Sequence, residues 1–574
     1  MTHAEISPIR LKSSPKGFTR DLDKAIAPEE TFARVSGILQ TFGDNIFAGA
    51  RRVDVGRLGI PVYMGMCGPK ARDIMPTRKQ MGKGASEAQA RASALMELVE
   101  RYSFFTFFER RPNFVEATWE EAEKLFGSAL INVEEICRSV NDAIEPARAR
   151  EILNLRSWDF CPATRLHDGK IVWLPLDWFR LLGEFNGSSA GNTDEESILQ
   201  GICELVERHV CALVDREQPE LATINPDEIS DETLRGLIGA FKRQGILLLL
   251  KDFSLDMPLP TVAALAFDPA TFPEKSEIVF TAGTATSPAR AAIRAITEAA
   301  QLGGDFCTAS CYEASGLGKF KNPEEFAWLL RGPAANLASL PDISAPDMRD
   351  EIMAVANALL PLNIYAVQTT NPALGVPAHY CIIPGLSFRE RDKNQSVGLF
   401  VGRKLAEEGD RQGLDRLAAL CPNAHYLPFF DGLLALGEGD AQKAASLFEI
   451  AAPKQPEEES RALALFYQGY AQTLLGQWTE AAAPLRQAFE LCPSMKEYGN
   501  LLGVALFRNK NYPEAEKVFD RVLRLDKGSA MDLANRGICR KLQGKSEAAR
   551  EDLRQALTLA PELDFARKHL EELG

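Results

Sequence analysis

CxxC pairs and clusters of cysteine with histidine are missing from this sequence. Its 574 residues include eleven cysteines, scattered without a CxxC pair, and six dispersed histidines. This distribution disfavours a zinc site and a disulfide framework, because both need ligands or partners at short, regular spacings. It is typical of a protein kept in a reducing compartment, so we predict a cytoplasmic location.

Long apolar runs and an excess of basic residues are also missing. The opening MTHAEISPIRLKSS has no apolar core of the signal-peptide kind, and no run reaches membrane-spanning length. Lysine and arginine number 65 against 79 acidic residues, which gives a formal net charge of −14. An acidic balance disfavours a nucleic-acid surface. We therefore predict neither a membrane nor a nucleic-acid partner.

The length and composition are those of a multidomain globular protein. A chain of 574 residues is longer than one hydrophobic core normally accommodates, so two or more domains are expected. In the first 405 residues, helical segments alternate with short apolar runs typical of strands. These runs are KIVWLPL, GILLLLKDF, TVAALAF, SEIVFTAG and NIYAVQTT. We predict a mixed α/β domain over residues 1–405.

The last third of the chain has an internal period. Gly469, Gly503 and Gly537 are spaced by 34 residues. The same spacing relates three further columns: Ala481, Ala515 and Ala549; Ala488, Val522 and Ala556; Trp478, Tyr512 and Ser546. An earlier unit has the same spacing between its small residues, and its glycine, Gly432, precedes Gly469 by 37 residues. A helical bundle without repeats does not readily give several sets of residues that share one spacing.

This period resembles that of tetratricopeptide repeats, in which small residues let two antiparallel helices approach closely. We predict about four units forming an all-α solenoid over residues 425–574, after a linker or helix at 406–424. Such arrays usually bind a peptide or a partner protein on their concave face. A purely structural role is the alternative.

The pentapeptide ELVER occurs twice, at Glu97–Arg101 and at Glu204–Arg208. Each copy lies in a predicted helix, and a third charged helix follows later. The three segments are SEAQARASALMELVERYSFFTFF with Ser86 as N-cap, DEESILQGICELVERHVCALV, and SPARAAIRAITEAAQLGG with Pro288 in its first turn. The repetition raises the question of whether the copies meet in space.

Polar side chains form a stripe on each of the three helices, because steps of three and four residues return to one face. The stripes are Ser93, Glu97 and Glu100 with Arg101 adjoining; Glu196, Gln200, Glu204 and Glu207 with Arg208; and Arg290, Arg294 and Glu298. Apolar residues flank the stripes, so the carboxylates need cations. A shared Mg²⁺ site with arginines on phosphate and a set of Arg–Glu ion pairs fit this spacing equally well.

Three signatures in this order resemble the YcaO family, whose members use ATP to activate peptide backbone amides. The resemblance covers roughly residues 15–390. The matching residues are Ser93, Glu97, Glu100 and Arg101; Asn192, Glu196, Glu204, Glu207 and Arg208; and Arg294, Glu298 and Gln301. Smaller similarities are GIPVYMG, GKGAS at 82–86 and IIPGL at 382–386.

The resemblance implies a role for each matching residue and names ATP and Mg²⁺ as cofactors. Glutamates of the family ligate magnesium, which assigns Glu97, Glu100, Glu196, Glu204, Glu207 and Glu298. Its serine, asparagine and arginines contact ATP, which assigns Ser93, Asn192, Arg101, Arg208 and Arg294. Several members also have a nucleotide-contacting lysine near the start, for which Lys16 in SPKGFTRDLDKAIAPEET is the candidate.

The GKG sequence at 82–84 also precedes a helix, as phosphate-binding loops do. It lacks the GxxxxGK[ST] spacing, which excludes a Walker-type loop. Contact of Lys83 with substrate or phosphate, and a simple tight turn, are the two remaining interpretations.

The resemblance implies an enzyme that phosphorylates an amide oxygen before a nucleophile attacks the carbon. No Ser/His/Asp or Cys/His set is evident, so we predict no protein nucleophile and name no catalytic residue. Azoline-forming members commonly end in a proline-rich segment, whereas this chain continues into repeats. We therefore favour thioamidation, or support of ribosomal-protein methylthiolation, over azoline formation.

The expected partners are a peptide or protein substrate and a TfuA-type or other protein bound through the repeats. The oligomeric state stays open, with a homodimer among the options. The alternative function is a non-catalytic ATP-binding scaffold that acts through its repeats.

Overall fold

The chain divides into two compact units. The computed structural model describes residues 7–54, 57–273, 276–302, 320–388, 395–526 and 528–574. The first unit comprises Met1–Ala143 and Ser157–Arg391, and the second comprises Ile144–Arg156 and Asp392–Gly574. The predicted boundary after residue 405 lies inside the helix Val397–Glu408 of the second unit.

The smallest sheet of the first unit has three strands. They are β1 (Phe47–Arg52), β2 (Val62–Cys67) and β3 (Lys79–Lys83), which pair antiparallel in the order β1-β2-β3. Val62 pairs with Lys83 and Met66 with Lys79, so the register covers the whole of β3. β3 is therefore an edge of this sheet, and Lys83 is its last residue.

A second sheet has five strands, most of them predicted. They are β8 (Thr223–Ile224), β9 (Leu247–Asp252), β10 (Thr261–Phe267), β11 (Val279–Thr284) and β12 (Ala334–Ala335), in the order β11-β10-β9-β8-β12. Six of the seven residues of β10 are buried. A continuous apolar run of this kind indicates a strand covered on both faces.

The third sheet has six strands. They are β4 (Val115–Ala117), β5 (Trp158–Arg165), β6 (Ile171–Pro175), β7 (Ser188–Ala190), β13 (Tyr365–Gln368) and β14 (Ala378–Ile382). Their order is β4-β5-β13-β14-β7, with β6 also paired to β5. All five strands predicted from apolar runs, namely β6, β9, β10, β11 and β13, are confirmed.

Helices cover the sheets of the first unit. They are α1 (Pro28–Gln40), α2 (Pro69–Ile74), α3 (Glu87–Phe108), α4 (Trp119–Phe126), α5 (Val133–Ser139), α7 (Leu176–Gly183), α8 (Asp194–Glu217), α9 (Glu232–Arg243), α10 (Pro288–Leu302) and α11 (Met348–Ala358). α6 (Pro146–Leu153) belongs to the second unit.

The three helices that carry the charged stripes are α3, α8 and α10. Ser86 and Thr193 are the N-caps of α3 and α8, because each side chain accepts a hydrogen bond from the backbone amide three residues on. Pro288 opens α10. The last two residues of the third predicted segment, 303–304, lie outside the described part of the chain.

Close glycine contacts set the distance between these helices and the sheets. A Cβ at Gly82 of β3 would lie 2.1 Å from the Ala94 nitrogen and 2.2 Å from the Ala90 oxygen of α3. A Cβ at Gly283 of β11 would lie 2.5 Å from the Ala295 nitrogen of α10. Each strand backbone therefore packs directly on a helix backbone, which fixes the position of the residues beside the glycine.

We expect Gly82→Ala to destabilise the first unit by about 1–3 kcal/mol, because the added methyl meets backbone atoms that cannot rotate away. Gly236→Ala in α9 is the matched control, since a Cβ there meets nothing within 4 Å. That change should stabilise the protein by about 0.5–1 kcal/mol through helix propensity. Urea unfolding measures both, and equal stability of Gly82→Ala and wild type would contradict the close packing.

The regular secondary structure of the second unit is all helix in its described residues. After α6 it contains α12 (Val397–Glu408), α13 (Arg411–Leu420), α14 (Leu427–Gly437), α15 (Ala441–Ala451), α16 (Glu458–Leu474), α17 (Trp478–Leu491), α18 (Lys496–Arg508), α19 (Tyr512–Leu525), α20 (Ala530–Leu542), α21 (Ser546–Leu559) and α22 (Asp564–Glu571). Of the helices that the structure describes in either unit, none is long and apolar enough to cross a membrane.

The glycine column predicted from the 34-residue period lies where paired helices touch. A Cβ at Gly469 of α16 would lie 2.4 Å from Leu485 of α17, and one at Gly503 of α18 would lie 2.6 Å from Phe519 of α19. Gly537 of α20 repeats the contact on α21. The period therefore reflects successive antiparallel helix pairs, as predicted.

Candidate functional site

The charged stripes of α3, α8 and α10 line one cavity in the first unit. Its volume is about 280 Å³. Eleven of the twelve predicted site residues line it: Ser93, Glu97, Glu100, Arg101, Asn192, Glu196, Glu204, Glu207, Arg208, Arg294 and Glu298. The two ELVER copies therefore do meet in space, together with the third helix.

Six carboxylates and five basic side chains surround the cavity. The basic residues are Lys24, Lys83, Arg101, Arg208 and Arg294. Among the described lining residues there is no cysteine and no histidine. The cavity therefore has many charged oxygens and nitrogens but, among its described lining, neither a thiol nor an imidazole.

At the α3 side of the cavity, Glu100 and Arg101 are held by β7 and the residues before it. The Ser188 hydroxyl donates a hydrogen bond to Glu100 Oε1 at 2.9 Å. The Arg101 guanidinium lies 3.4 Å from that carboxylate and 3.8 Å from the centroid of the Phe185 ring. Contact with the Phe185 ring restricts the orientation of the planar guanidinium, and with it the directions of the guanidinium N–H donors.

On α8, backbone amides hold two of the carboxylates. The Gly187 amide donates to Glu204 Oε2 at 3.2 Å, and the Thr284 amide of β11 donates to Glu207 Oε2 at 2.9 Å. Arg208 Nη2 lies 3.7 Å from Glu204 Oε1. Each carboxylate thus has one oxygen positioned by the backbone.

At the start of α8, two hydrogen-bond donors and one ammonium surround Glu196. The Asn192 amide nitrogen donates to both of its oxygens at 3.1 and 3.2 Å, and the Ala25 backbone amide donates at 2.9 Å. The Lys24 ammonium lies 3.5 Å away. The Asn192 oxygen in turn accepts a bond from Arg34 at 2.8 Å. This end of the cavity is therefore closed by the N-terminal segment.

Lys16 is the predicted site residue that does not line the cavity. Its ammonium lies 2.6 Å from Asp23 and 2.6 Å from Glu351, and its side chain is 6% exposed. These two ion pairs hold its ammonium at Asp23 and Glu351. Its contact with a nucleotide stays a prediction. Lys24, eight residues further along the same stretch, has its ammonium at the cavity instead.

On α10, Arg294 and Glu298 reach towards other elements. Arg294 Nη1 donates to Gln200 Oε1 of α8 at 2.8 Å, which ties the two helices together. Glu298 Oε2 accepts a close hydrogen bond from the Lys83 ammonium at the end of β3. Gln301 lies one turn further along the same lining face.

Burial and mutual repulsion change the acidity of these carboxylates. Burial raises the pKa values of Glu97 and Glu207. Burial, with repulsion from Glu204, raises the pKa of Glu100 to about 8. Burial would also raise the pKa of Glu298, but Lys83, Arg208 and Arg294 together outweigh it and the pKa is lowered. A cation entering near Glu100 at neutral pH therefore has to displace a proton.

The donor set fits an anion and a hard cation together. The Nε atoms of Arg208 and Arg294 are buried and have no hydrogen-bond partner. Unpaired guanidinium donors of this kind suit phosphate oxygens. Carboxylate oxygens suit Mg²⁺, although no three acidic, histidine or cysteine side chains of the described residues converge closely enough to hold a metal as they stand. Most of these carboxylates contact a basic side chain of the protein instead.

Two sequence families match the chain. The profile described as "YcaO cyclodehydratase, ATP- and Mg²⁺-binding" matches residues 81–387, which is more than half of the chain. A tetratricopeptide-repeat profile matches residues 432–496 and 485–530. The first range contains the cavity helices, and the repeat ranges contain Gly469 and Gly503 of the glycine column.

Similar proteins come from bacteria and an archaeon. An uncharacterized protein encoded in the tfuA 3′ region of Rhizobium leguminosarum bv. trifolii is 29% identical over 312 residues, 51% of this chain and 69% of that protein. An uncharacterized protein of Methanothermobacter thermautotrophicus is 26% identical, covering 67% of this chain and 98% of its own. The ribosomal protein S12 methylthiotransferase accessory factor YcaO of Escherichia coli is 29% identical, over 33% of this chain and 35% of its own.

Two solved structures share the fold at low sequence identity. A heterocyclase in complex with substrate and cofactor has a TM-score of 0.52 and 21% identity, covering 67% of this chain and 55% of its own. YcaO from Methanopyrus kandleri, bound with AMPPCP and Mg²⁺, has a TM-score of 0.50 and 21% identity, covering 67% of this chain and 97% of its own. With the profile match, they lead to one conclusion: the chain belongs to the YcaO family and carries tetratricopeptide repeats after its YcaO domain.

Proposed function

We propose that this protein is an ATP-dependent enzyme that phosphorylates a backbone amide oxygen of a peptide or protein, so that sulfide can replace that oxygen. The observation that carries the proposal is the cavity itself. Six carboxylates and five basic groups from three helices and the N-terminal segment surround it, without a cysteine or histidine among its described lining. Such a site suits phosphoryl transfer, which depends on positioning and charge neutralisation rather than on a protein nucleophile.

The side chains of the cavity divide between metal and nucleotide. We assign the metal to the carboxylates, namely Glu97, Glu100, Glu196, Glu204, Glu207 and Glu298. We assign the nucleotide to Ser93, Arg101, Asn192, Arg208, Arg294 and Lys24, the last in place of Lys16. When bound, Mg²⁺ neutralises phosphate charge.

The arginines have the geometry that this assignment needs. Arg101 is fixed by Phe185, while Arg208 and Arg294 each keep a buried donor without a partner. Donors held in place before the reaction do not have to reorganise as charge develops on the transferred phosphoryl group. We therefore propose that these three residues stabilise the phosphate oxygens.

The proposed reaction has two steps. The amide oxygen of the substrate attacks the γ-phosphorus of ATP, and the bond to the bridging oxygen breaks to release ADP. Sulfide then adds to the former carbonyl carbon, and the bond between that carbon and the phosphorylated oxygen breaks. Inorganic phosphate leaves with the original amide oxygen, the added sulfur loses its proton, and a thioamide remains.

We propose sulfide as the nucleophile because of the gene position of one relative. The Rhizobium relative is encoded beside tfuA and matches over 69% of its length, whereas the methylthiotransferase accessory factor matches over 35%. We therefore place thioamidation with a TfuA-type partner before support of ribosomal-protein methylthiolation. We further propose that the repeats of the second unit bind the substrate or this partner.

The reaction predicts where the amide oxygen goes. A substrate is first identified by comparing peptide masses between a strain lacking the gene and the complemented strain, since thioamidation exchanges one oxygen for one sulfur. The identified peptide, carrying heavy oxygen at its target carbonyl, should then yield heavy inorganic phosphate in equal amount to the modified peptide. Mass spectrometry of phosphate, nucleotides and peptide measures the label.

The other outcomes separate the alternatives. Label in AMP would show adenylation, and label retained in the peptide while ATP is consumed would contradict amide activation and support a simple ATPase or scaffold. A product lighter by one water would keep amide activation but replace sulfide by a side-chain nucleophile. Solvent oxygen in phosphate serves as the measure of background hydrolysis.

A further inference from the structure

Lys83 lies at the point where β3 meets the cavity, and its backbone is tightly constrained. The glycines on both sides pack on α3, since a Cβ at Gly82 would lie 2.1 Å from the Ala94 nitrogen and one at Gly84 would lie 2.6 Å from Gln89. The Lys83 side chain is 23% exposed and extends from this fixed point into the cavity. The backbone from which the side chain starts is therefore held in place at the edge of the cavity.

The ammonium of Lys83 bonds to a carboxylate on a different element. It donates a hydrogen bond to Glu298 Oε2 of α10, which is 215 residues away in the sequence. By contrast, Arg101 and Arg208 contact acids of their own helices, Glu100 and Glu204, at 3.4 and 3.7 Å. The Lys83 contact therefore joins the β3–α3 side of the cavity to α10.

Lys83 also acts on the other two helices. Burial raises the pKa values of Glu97 on α3 and Glu207 on α8, and the charge of Lys83, together with those of nearby arginines, opposes this rise. Neither of these carboxylates has a basic side chain within ion-pairing distance among the described residues; a backbone amide donates to each. One ammonium thus stabilises carboxylates from all three helices.

We propose that Lys83 is an internal counterion, which neutralises these carboxylates in the metal-free protein and gives up Glu298 when Mg²⁺ binds. The proposal rests on the assignment of these carboxylates to the metal. Several acids held close together in a desolvated site destabilise the empty protein unless a cation is present. A tethered ammonium supplies this cation without a metal, but it must then compete with one.

Competition predicts that removing Lys83 tightens metal binding. Mn²⁺ alone, titrated into the nucleotide-free protein and followed by the loss of its free electron paramagnetic resonance signal, should bind Lys83→Met about tenfold more tightly than wild type. Lys83→Arg keeps the charge and should bind like wild type. Lys79→Met removes a lysine from the same strand outside the cavity lining, and its affinity should also be unchanged.

For the same variant, Lys83→Met, we expect a thermal stability that depends on the presence of metal. In EDTA the Tm of Lys83→Met should lie a few degrees below that of wild type, because the carboxylates lose their counterion. Saturating Mn²⁺ should remove this difference. A deficit that persists unchanged in Mn²⁺ would mean that Lys83 has only a packing role.

The outcomes distinguish this inference from the assignment on which it rests. Equal or weaker Mn²⁺ binding by Lys83→Met, with normal binding by wild type, would overturn the counterion alone. Equal tightening in Lys79→Met would overturn it too, by showing a general effect of net charge. Absence of Mn²⁺ binding in every variant would instead contradict the metal site and with it the proposed function.

Discussion

Glutamine in place of Glu204 is expected to abolish Mg²⁺-dependent ATP turnover, with a loss of about 10²–10³-fold or more. Removing a preorganised charged group from a site of this kind has effects of that size. Glu204 lies between Arg208 and the carboxylates of α3, and it raises the pKa values of both Glu97 and Glu100. Glu97→Gln on the facing helix should have a comparable effect, because both changes remove a metal-binding oxygen charge.

The fold of these variants should survive the change. Glu204 repels Glu97 and Glu100, so glutamine removes an unfavourable charge in the metal-free protein while keeping the shape of the side chain. The Tm without Mg²⁺ should therefore equal or exceed that of wild type. Glu217→Gln at the exposed end of α8 is the matched control and should keep full turnover. Unchanged turnover in both cavity variants would make the stripes structural.

The helices of the site could be predicted because their signals are local. A stripe at three- and four-residue steps and an N-cap such as Ser86 each depend on a short stretch of chain. Whether Glu97, Glu204 and Glu298 would meet depends on tertiary structure, and spacing alone left ion pairs equally acceptable. The order of the three family signatures decided that question.

The side chains that complete the site could not be predicted in the same way. Lys16 and Lys24 lie in one irregular stretch, and their roles depend on which carboxylates the fold brings near them. Glu351, which pairs with Lys16, is 335 residues away in the sequence. The contact of Phe185 with Arg101 likewise depends on tertiary structure, because the fold brings a loop residue next to α3.

The three-stranded sheet was also missed. β1 reads FAGARR and β3 reads KQMGK, which contain few β-branched residues and no apolar run. Their strand conformation depends on pairing with β2 and on the backbone contact of Gly82 with α3. The sheet nevertheless carries Lys83 to the cavity, so the least predictable element supplies the proposed counterion.

The central claim is that α3, α8 and α10 jointly hold one complex of a metal ion and a nucleotide. Crystals of the full chain grown with Mn²⁺ and a non-hydrolysable ATP analogue test it most directly, because anomalous scattering locates the metal without reference to the carboxylates. We predict manganese peaks within about 2–2.5 Å of carboxylate oxygens, the range of hard-cation contacts. Ligands should come from at least two of the three helices, with Arg208 and Arg294 on phosphate oxygens.

The same experiment can contradict the account without ambiguity. Glu204→Gln crystals grown under identical conditions serve as the control and should lose manganese at the position that Glu204 ligates. If the wild-type cavity contains neither manganese nor nucleotide, with Lys83 still bonded to Glu298, the stripes are internal ion pairs. If both ligands instead bind outside the cavity lined by Glu97, Glu204 and Glu298, the assignment of the active site is wrong.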